Sequence, residues 1–223
     1  MKKACFLTLS ALTVFWLVCL LSYDKNLLAD AIKVPKAQAV ASSTQAVTLS
    51  VTVIDYLSFT VNSGGTINLG NLTPGTPVCN ASGTVLLVST NASNGYKMTP
   101  SDGSATDSAL THADTTTHIL DYLGTIAAPT TWTGSGLGVT LWSGVQREAA
   151  WSVGGVATDA CAVASTKWAG VPAASTSTTG HTVTGFLAGP DTTYWGWKVD
   201  VPNTQKTGTY TGVVTFTVVN VLS

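Results

Sequence analysis

Aliphatic residues and threonines take turns along short stretches of this chain, Gly and Pro cut the stretches apart, and no long segment keeps a helical period. Alternation with period two places one set of side chains on each face of a strand, so this pattern predicts β-structure with one buried and one hydroxyl-coated face. Residues 46–62, AVTLSVTVIDYLSFTVN, alternate through Val47, Leu49, Val51 and Val53 and again through Leu57, Phe59 and Val61, with a phase slip near Asp55. They predict one long strand or two strands with a bend. Ile67 to Leu72 reads as a strand that ends in the Pro74-Gly75 turn, where Pro presets φ and Gly accepts a positive one. Val85 to Ser89 reads as a buried strand, and Asn94-Gly95 as a hairpin turn leading into Tyr96 to Thr99. Toward the end, Thr182 to Leu187, Tyr194 to Val201 and Tyr210 to Val221 are again strand-like. Between them, residues 100–180 predict short strands and long Thr/Ser/Gly loops, with a helical turn near Thr117 to Leu123. The fold expected is all-β: a two-sheet antiparallel immunoglobulin-like sandwich with a loop-rich insertion, preceded by an N-terminal signal helix.

That signal reading rests on Met1-Lys2-Lys3 followed by an apolar run from Ala4 to Leu21. Small-x-small sites follow at Ala29-Asp30-Ala31 and Ala37-Gln38-Ala39, and cleavage after Ala39 is favoured because a Ser/Thr-rich opening comes next. Residues 1–39 are thus a signal peptide, and residues 40–223 a single domain carrying its insertion around 100–180. Since ~20 apolar residues suffice to span a bilayer, an uncleaved anchor is the alternative. A lipoprotein is disfavoured, because Trp16-Leu17-Val18 precedes Cys19 where a small residue is needed.

Removing the leader leaves five basic and nine acidic residues, a net charge of −4. Only 9% of the whole chain is charged, far below the usual quarter, so hydroxyls replace charges at the surface. The remaining cations are Lys97, Arg147, Lys167, Lys198 and Lys206, too scattered in sequence for the basic patch that nucleic acid or an anionic membrane requires. Cys79 and Cys161 are the two cysteines beyond the leader, and an oxidising compartment predicts that they pair.

Three segments together, Leu72-Thr-Pro-Gly75, Ser89-Thr-Asn-Ala-Ser-Asn-Gly-Tyr96 and Thr207-Gly-Thr-Tyr-Thr-Gly-Val-Val-Thr-Phe-Thr217, give residues 46–223 a family likeness. The chain resembles secreted prokaryotic β-sandwich surface proteins, the group with WxL-type cell-wall domains and spore-coat-U or fimbrial-like domains. Where the WxL group carries Trp-x-Leu in its final strand, this chain has Phe216-Thr217-Val218. The resemblance implies a non-enzymatic coat, adhesin or fibre component, extracellular or at the cell surface, whose partners are further copies, other surface proteins or glycans.

Candidate sites each have a plain structural reading beside the chemical one. His112 and His118 share a segment with Asp107, Asp114 and Asp121, which is either a metal site or, more simply, a polar surface loop. Asp102-Gly-Ser104-Ala-Thr106-Asp107 spaces oxygens like a calcium loop but lacks its closing Glu, so a turn is expected. Gly134-Ser-Gly136-Leu-Gly138 lacks phosphate-cradle spacing and reads as a flexible loop, and no Gly-x-Ser-x-Gly elbow occurs. With Glu148 the sole glutamate, a paired-carboxylate hydrolase is a minor alternative, and no cofactor is expected. Trp195 and Trp197 flank Gly196 and share a face that reads as core, whereas Trp132 and Trp142, in Gly-rich surroundings, are the expected exposed members for stacking on sugars. Asn71, Asn80 and Asn91 sit in Asn-x-Ser/Thr triplets open to glycosylation, although Asn91 also suits a turn.

Overall fold

The computed structural model describes residues 45–103, 109–151 and 161–222. Residues 1–39, expected to be a signal peptide, together with Ser104, Thr106 and Asp107, lie outside the described residues. From Thr52 onward the chain forms one compact unit, and residues up to Val51 belong to a separate one.

In chain order the strands are β1 (Leu57–Ser63), β2 (Val78–Thr90), β3 (Tyr96–Asp102), β4 (Leu110–His112), β5 (His118–Ile119), β6 (Thr130–Thr131), β7 (Gly136–Ser143), β8 (Lys167–Trp168), β9 (His181–Val183), β10 (Asp191–Asp200), β11 (Tyr210–Thr211) and β12 (Val214–Asn220). A four-stranded sheet in the order β1-β2-β10-β7 and a three-stranded sheet in the order β12-β3-β9 share the main core, and all their pairings are antiparallel. Two smaller sheets, β11-β4-β5 and β6-β8, complete the all-β architecture.

The core follows from the alternation. Leu86 and Val88 from β2, Val139 and Leu141 from β7, and Trp195 and Trp197 from β10 meet Tyr96, Met98 and Val183 of the other sheet. Phe216 of β12 tilts against Trp195 at 5.1 Å, and Trp151 meets the same ring edge-on at 5.8 Å. Trp195 and Trp197 are therefore core, as their shared face suggests. The pairing of β10 with β2 shifts register between Trp195 and Trp197, where β2 carries the extra residues, and Gly83 lies within this bulge with φ +57. A Cβ at Gly83 would stand 2.1 Å from the Trp195 carbonyl oxygen, so the bulge requires glycine there.

Several expectations need correction. Residues 45–56 form no strand, and β1 begins only at Leu57. The positions 47, 49, 51, 53, 57, 59 and 61 are all odd, so the slip at Asp55 is one polar residue on the apolar face rather than a change of phase. Ile67 to Leu72 also forms no strand, yet Ile67, Leu69 and Leu72 pack half-buried against the cores, and the turn at Pro74-Gly75 forms as read. Asn94-Gly95 does turn the chain, with Gly95 at φ +78, but it joins β2 to β3 in different sheets and so makes no hairpin. Gly136 to Gly138 belong to β7, not to a flexible loop, and the Thr117 to Leu123 segment contains β5 in place of a helical turn.

The Cys79–Cys161 disulfide is present, with Cα atoms 5.9 Å apart. It ties β2 to the segment before β8 across 82 residues of sequence, a closure that contributes roughly 4 kcal/mol on the chain-entropy model.

Candidate functional site

Residues 47–53 carry the largest disagreement between sequence pattern and burial. Val47, Leu49, Val51 and Val53 are 80%, 90%, 88% and 77% exposed, although they alternate with Thr48, Ser50 and Thr52 as regularly as the residues of a half-buried strand. The chain just beyond them, at Ile54 and Tyr56, is held firmly. The Asn91 Oδ1 accepts the Tyr56 amide at 2.6 Å, the Asn91 Nδ2 donates to the Ile54 carbonyl at 2.8 Å, and the Asn91 amide donates to the Tyr56 carbonyl. These bonds carry the line of β1 back to Ile54, so the chain does not reverse there into a hairpin with its own β1.

Asn91 is thus a backbone clamp, and a sugar on Nδ2 would leave that nitrogen a single N–H and crowd the bond to Ile54. The Asn80 Oδ1 accepts the Gly83 amide near the bulge, while Asn71 is exposed. Of the three triplets, Asn71 stands most open.

Among the described residues, two sheet edges are seven residues long and lack a partner on one side, β1 and β12. The free side of β7 is taken by backbone bonds from Leu137 to Leu120 and between Val139 and Ala169, and β9 is only three residues long. On β1 the register shifts between Val61 and Ser63, a bulge of the kind that protects an edge. By contrast β12, VTFTVVN, stays in register with β3 from Val214↔Asp102 to Asn220↔Tyr96 and has neither a charge nor a proline. Its Val214, Phe216 and Val218 are half-buried against the core, and its Thr215 and Thr217 face out.

Trp132 and Trp142 do not stand free in solvent. Trp132 stacks on Tyr122 with ring centroids 4.3 Å apart, Trp142 tilts against Tyr194 at 4.9 Å, and both pack on a cluster of Tyr122 and Trp168 beside Cys79. Lys198 sits over the Trp132 and Trp168 rings at 5.1 and 5.5 Å, and burial lowers its pKa. The indole N–H groups of Trp132 and Trp142 are shielded and have no acceptor among the described residues.

The histidine-rich segment does not converge on a metal. His112 Nδ1 accepts the Asp114 amide, His118 Nδ1 meets the Thr111 hydroxyl, and Asp121 binds the Val171 amide some way off in the fold. Asp114 is instead the centre of a turn: the Lys206 ammonium, followed by the Thr117 and Thr116 amides, holds its carboxyl well below the usual range. No group of three or more metal-ligating side chains occurs among the described residues. Asp102, from the calcium-like stretch, is buried at the end of β3.

A different ionisable cluster escaped the sequence reading. His181 is fully buried, its Nδ1 3.1 Å from Glu148 Oε2 and its Nε2 3.2 Å from Asp191 Oδ2. The Tyr96 hydroxyl donates to the same Asp191 oxygen at 2.6 Å, and the Val145 amide to the other at 2.9 Å. With both ring nitrogens committed to carboxylates, His181 has no free lone pair to serve as a base, and the cluster reads as structural. Its members come from four separate elements, so no spacing signals it; the one hint was that the chain's only glutamate is among them.

In comparisons with known proteins, no family model, no curated protein and no solved structure matches this chain.

Proposed function

We propose that this protein is a non-catalytic structural or adhesive subunit of an extracellular surface, an immunoglobulin-like sandwich that joins copies by β-strand addition. The observation that carries the reading is the segment 46–53, which has the two-faced pattern of a core strand and pairs with no sheet among the described residues. Burying each of its four aliphatic side chains is worth about 1.5–3 kcal/mol, and the backbone bonds of a sheet edge add specificity of register. The clamp at Asn91 works against folding back on its own β1, which favours a second copy as acceptor. In that copy β12 fits best: it is seven residues long, flat in register and uncharged, and it repeats the donor's design of aliphatic inside and threonine outside. Export by the N-terminal leader and the resemblance to coat and fimbrial-like surface proteins agree with this role.

The test is photo-cross-linking from position 50 in the exported protein. With benzoylphenylalanine replacing Ser50, adducts are expected between copies, in peptides covering residues 210–222. Adducts confined to the same chain, or none at all, would overturn the reading.

A second reading, glycan binding through Trp132 and Trp142, draws support from their two indole donors without acceptors beside Lys198. It predicts binding to acidic wall or extracellular polysaccharides that weakens in Trp142→Ala. A polysaccharide array without signal for the wild-type protein would end it.

A further inference from the structure

The cluster around His181 ties two loops that the strand-addition reading leaves unused. His181 opens β9 and Asp191 opens β10, so their contact clips the base of loop 184–190. Glu148 and Val145 belong to the loop after β7, and Glu148 also accepts the Thr182 amide. At the surface the same two loops meet again, where Gln146 Nε2 donates to the Thr184 carbonyl at 3.0 Å and Gln146 Oε1 accepts the Thr184 amide and hydroxyl. One imidazole is thus the buried fastening beneath an exposed one.

Its protonation state follows from the geometry. Glu148 and Asp191 as carboxylates only accept hydrogen bonds, so both His181 nitrogens satisfy them only when both carry protons. Losing one proton would set a nitrogen lone pair of the fully buried ring against a carboxylate, so that the ring would hold one partner in place of two and the loops would be joined only by the Glu148–Thr182 and Gln146–Thr184 bonds. The groups facing the ring are Asp191 from β10, Glu148 from the loop after β7 and, through Asp191, the Tyr96 hydroxyl from β3.

Phe186, Leu187 and Pro190 line an open apolar notch of about 220 Å³ with Tyr56, Thr90 and Asn91, at the point where the clamped chain enters β1. We propose that His181 is a proton-operated latch: the charged ring holds loop 184–190, and with it the notch beside Tyr56, and the loop is released when the proton leaves.

Burial opposes the charge on His181, but the bonds to Asp191 and then Glu148 outweigh it and push its pKa up to about 9. Burial likewise pushes the Asp191 carboxyl up, and the bonds from His181, Tyr96 and the Val145 amide outweigh this and hold it below its usual value. A raised histidine stabilises fully below its unfolded value near 6.5 and loses that contribution as pH rises through about 9. A depressed aspartate stabilises above its unfolded value near 3.8 and loses its contribution as pH falls through its folded value. Both contributions are complete between about pH 4 and 6.5, and the ring keeps its charge and the latch stays closed until the pH approaches about 9.

Hydrogen exchange read by mass spectrometry on the exported protein tests this. Protection of amides in 184–190, corrected for intrinsic rates, is expected to fall by about tenfold between pH 6.5 and 10 while amides 85–88 of β2 keep theirs. His181→Gln is expected to show low protection of the loop at every pH. Unchanged protection of 184–190 in the wild type across that range would overturn the latch. Should the variant fail to fold, imidazole proton resonances of the wild type decide: one of the three histidines titrating near 9 supports the latch, and all three titrating below 7 refute it.

Discussion

The segment 46–53 and strand β12 are written in the same code and end in opposite states. Each alternates aliphatic residues with Thr or Ser and carries no charge. In β12 Val214, Phe216 and Val218 pack on the core, Phe216 against Trp195 and Trp197, and one edge pairs with β3 along its whole length. In 46–53 the same kind of set is at least 77% exposed and unpaired. Alternation therefore specifies a strand with one face to bury but is silent on whose sheet receives it, because the pattern is local and the partner is not. A chain that keeps such a segment uncovered bears an edge-pairing hazard unless another sheet takes it up.

The sharpest way to separate the two regions is to damage each. Trp195→Ala removes a fully buried ring at the centre of the shared core and is expected to cost about 3–5 kcal/mol in denaturant unfolding. Leu49→Lys with Val51→Lys, in the uncovered segment, is expected to change the stability of the isolated subunit by less than about 0.5 kcal/mol while removing association. Equal loss of stability from both would mean that 46–53 already belongs to its own core.

Replacing Cys79 and Cys161 by Ala is expected to cost about 2–4 kcal/mol and to leave association of the folded protein intact, since the bridge lies beside the Trp168 cluster and not on β12. A thermal melt paired with sizing distinguishes the two effects. Asn91→Ala is expected to cost about 1 kcal/mol and to raise hydrogen exchange at residues 54–57, because the clamp on Ile54 and Tyr56 is lost. Smallest of all, Lys206→Ala is expected to shift stability by less than about 0.5 kcal/mol, as its bond to Asp114 is solvent-exposed.

What the sequence revealed and what it hid divide along the same line between local and distant. The strands β2, β10 and β12, the core placement of Trp195 and Trp197, and the Cys79–Cys161 bridge were legible, because alternation and cysteine number are properties of the chain itself. Gly134 to Gly138 misled: the composition reads as a loop, but a Cβ at Gly138 would lie 2.7 Å from the Trp132 ring, so this glycine makes room for an aromatic on a strand. Trp132 and Trp142 misled because the contacts that cover them cross between elements: Tyr122 stacks on Trp132, and Tyr194, far along the chain, tilts against Trp142. Asn94-Gly95 was a true turn whose destination could not be read, since turn chemistry fixes the bend and not the sheet that follows. The bridge from Asp191 through His181 to Glu148 left no trace in spacing, its one sign being that Glu148 is the chain's only glutamate.

The most direct measurement is the mass in solution of the protein without residues 1–39 by light scattering, wild type beside Leu49→Lys/Val51→Lys, across a concentration series. Strand addition predicts that the wild type grows with concentration into dimers or longer chains and that the variant remains a folded monomer. A wild type that stays monomeric throughout, or a variant that assembles as well as the wild type, would contradict it.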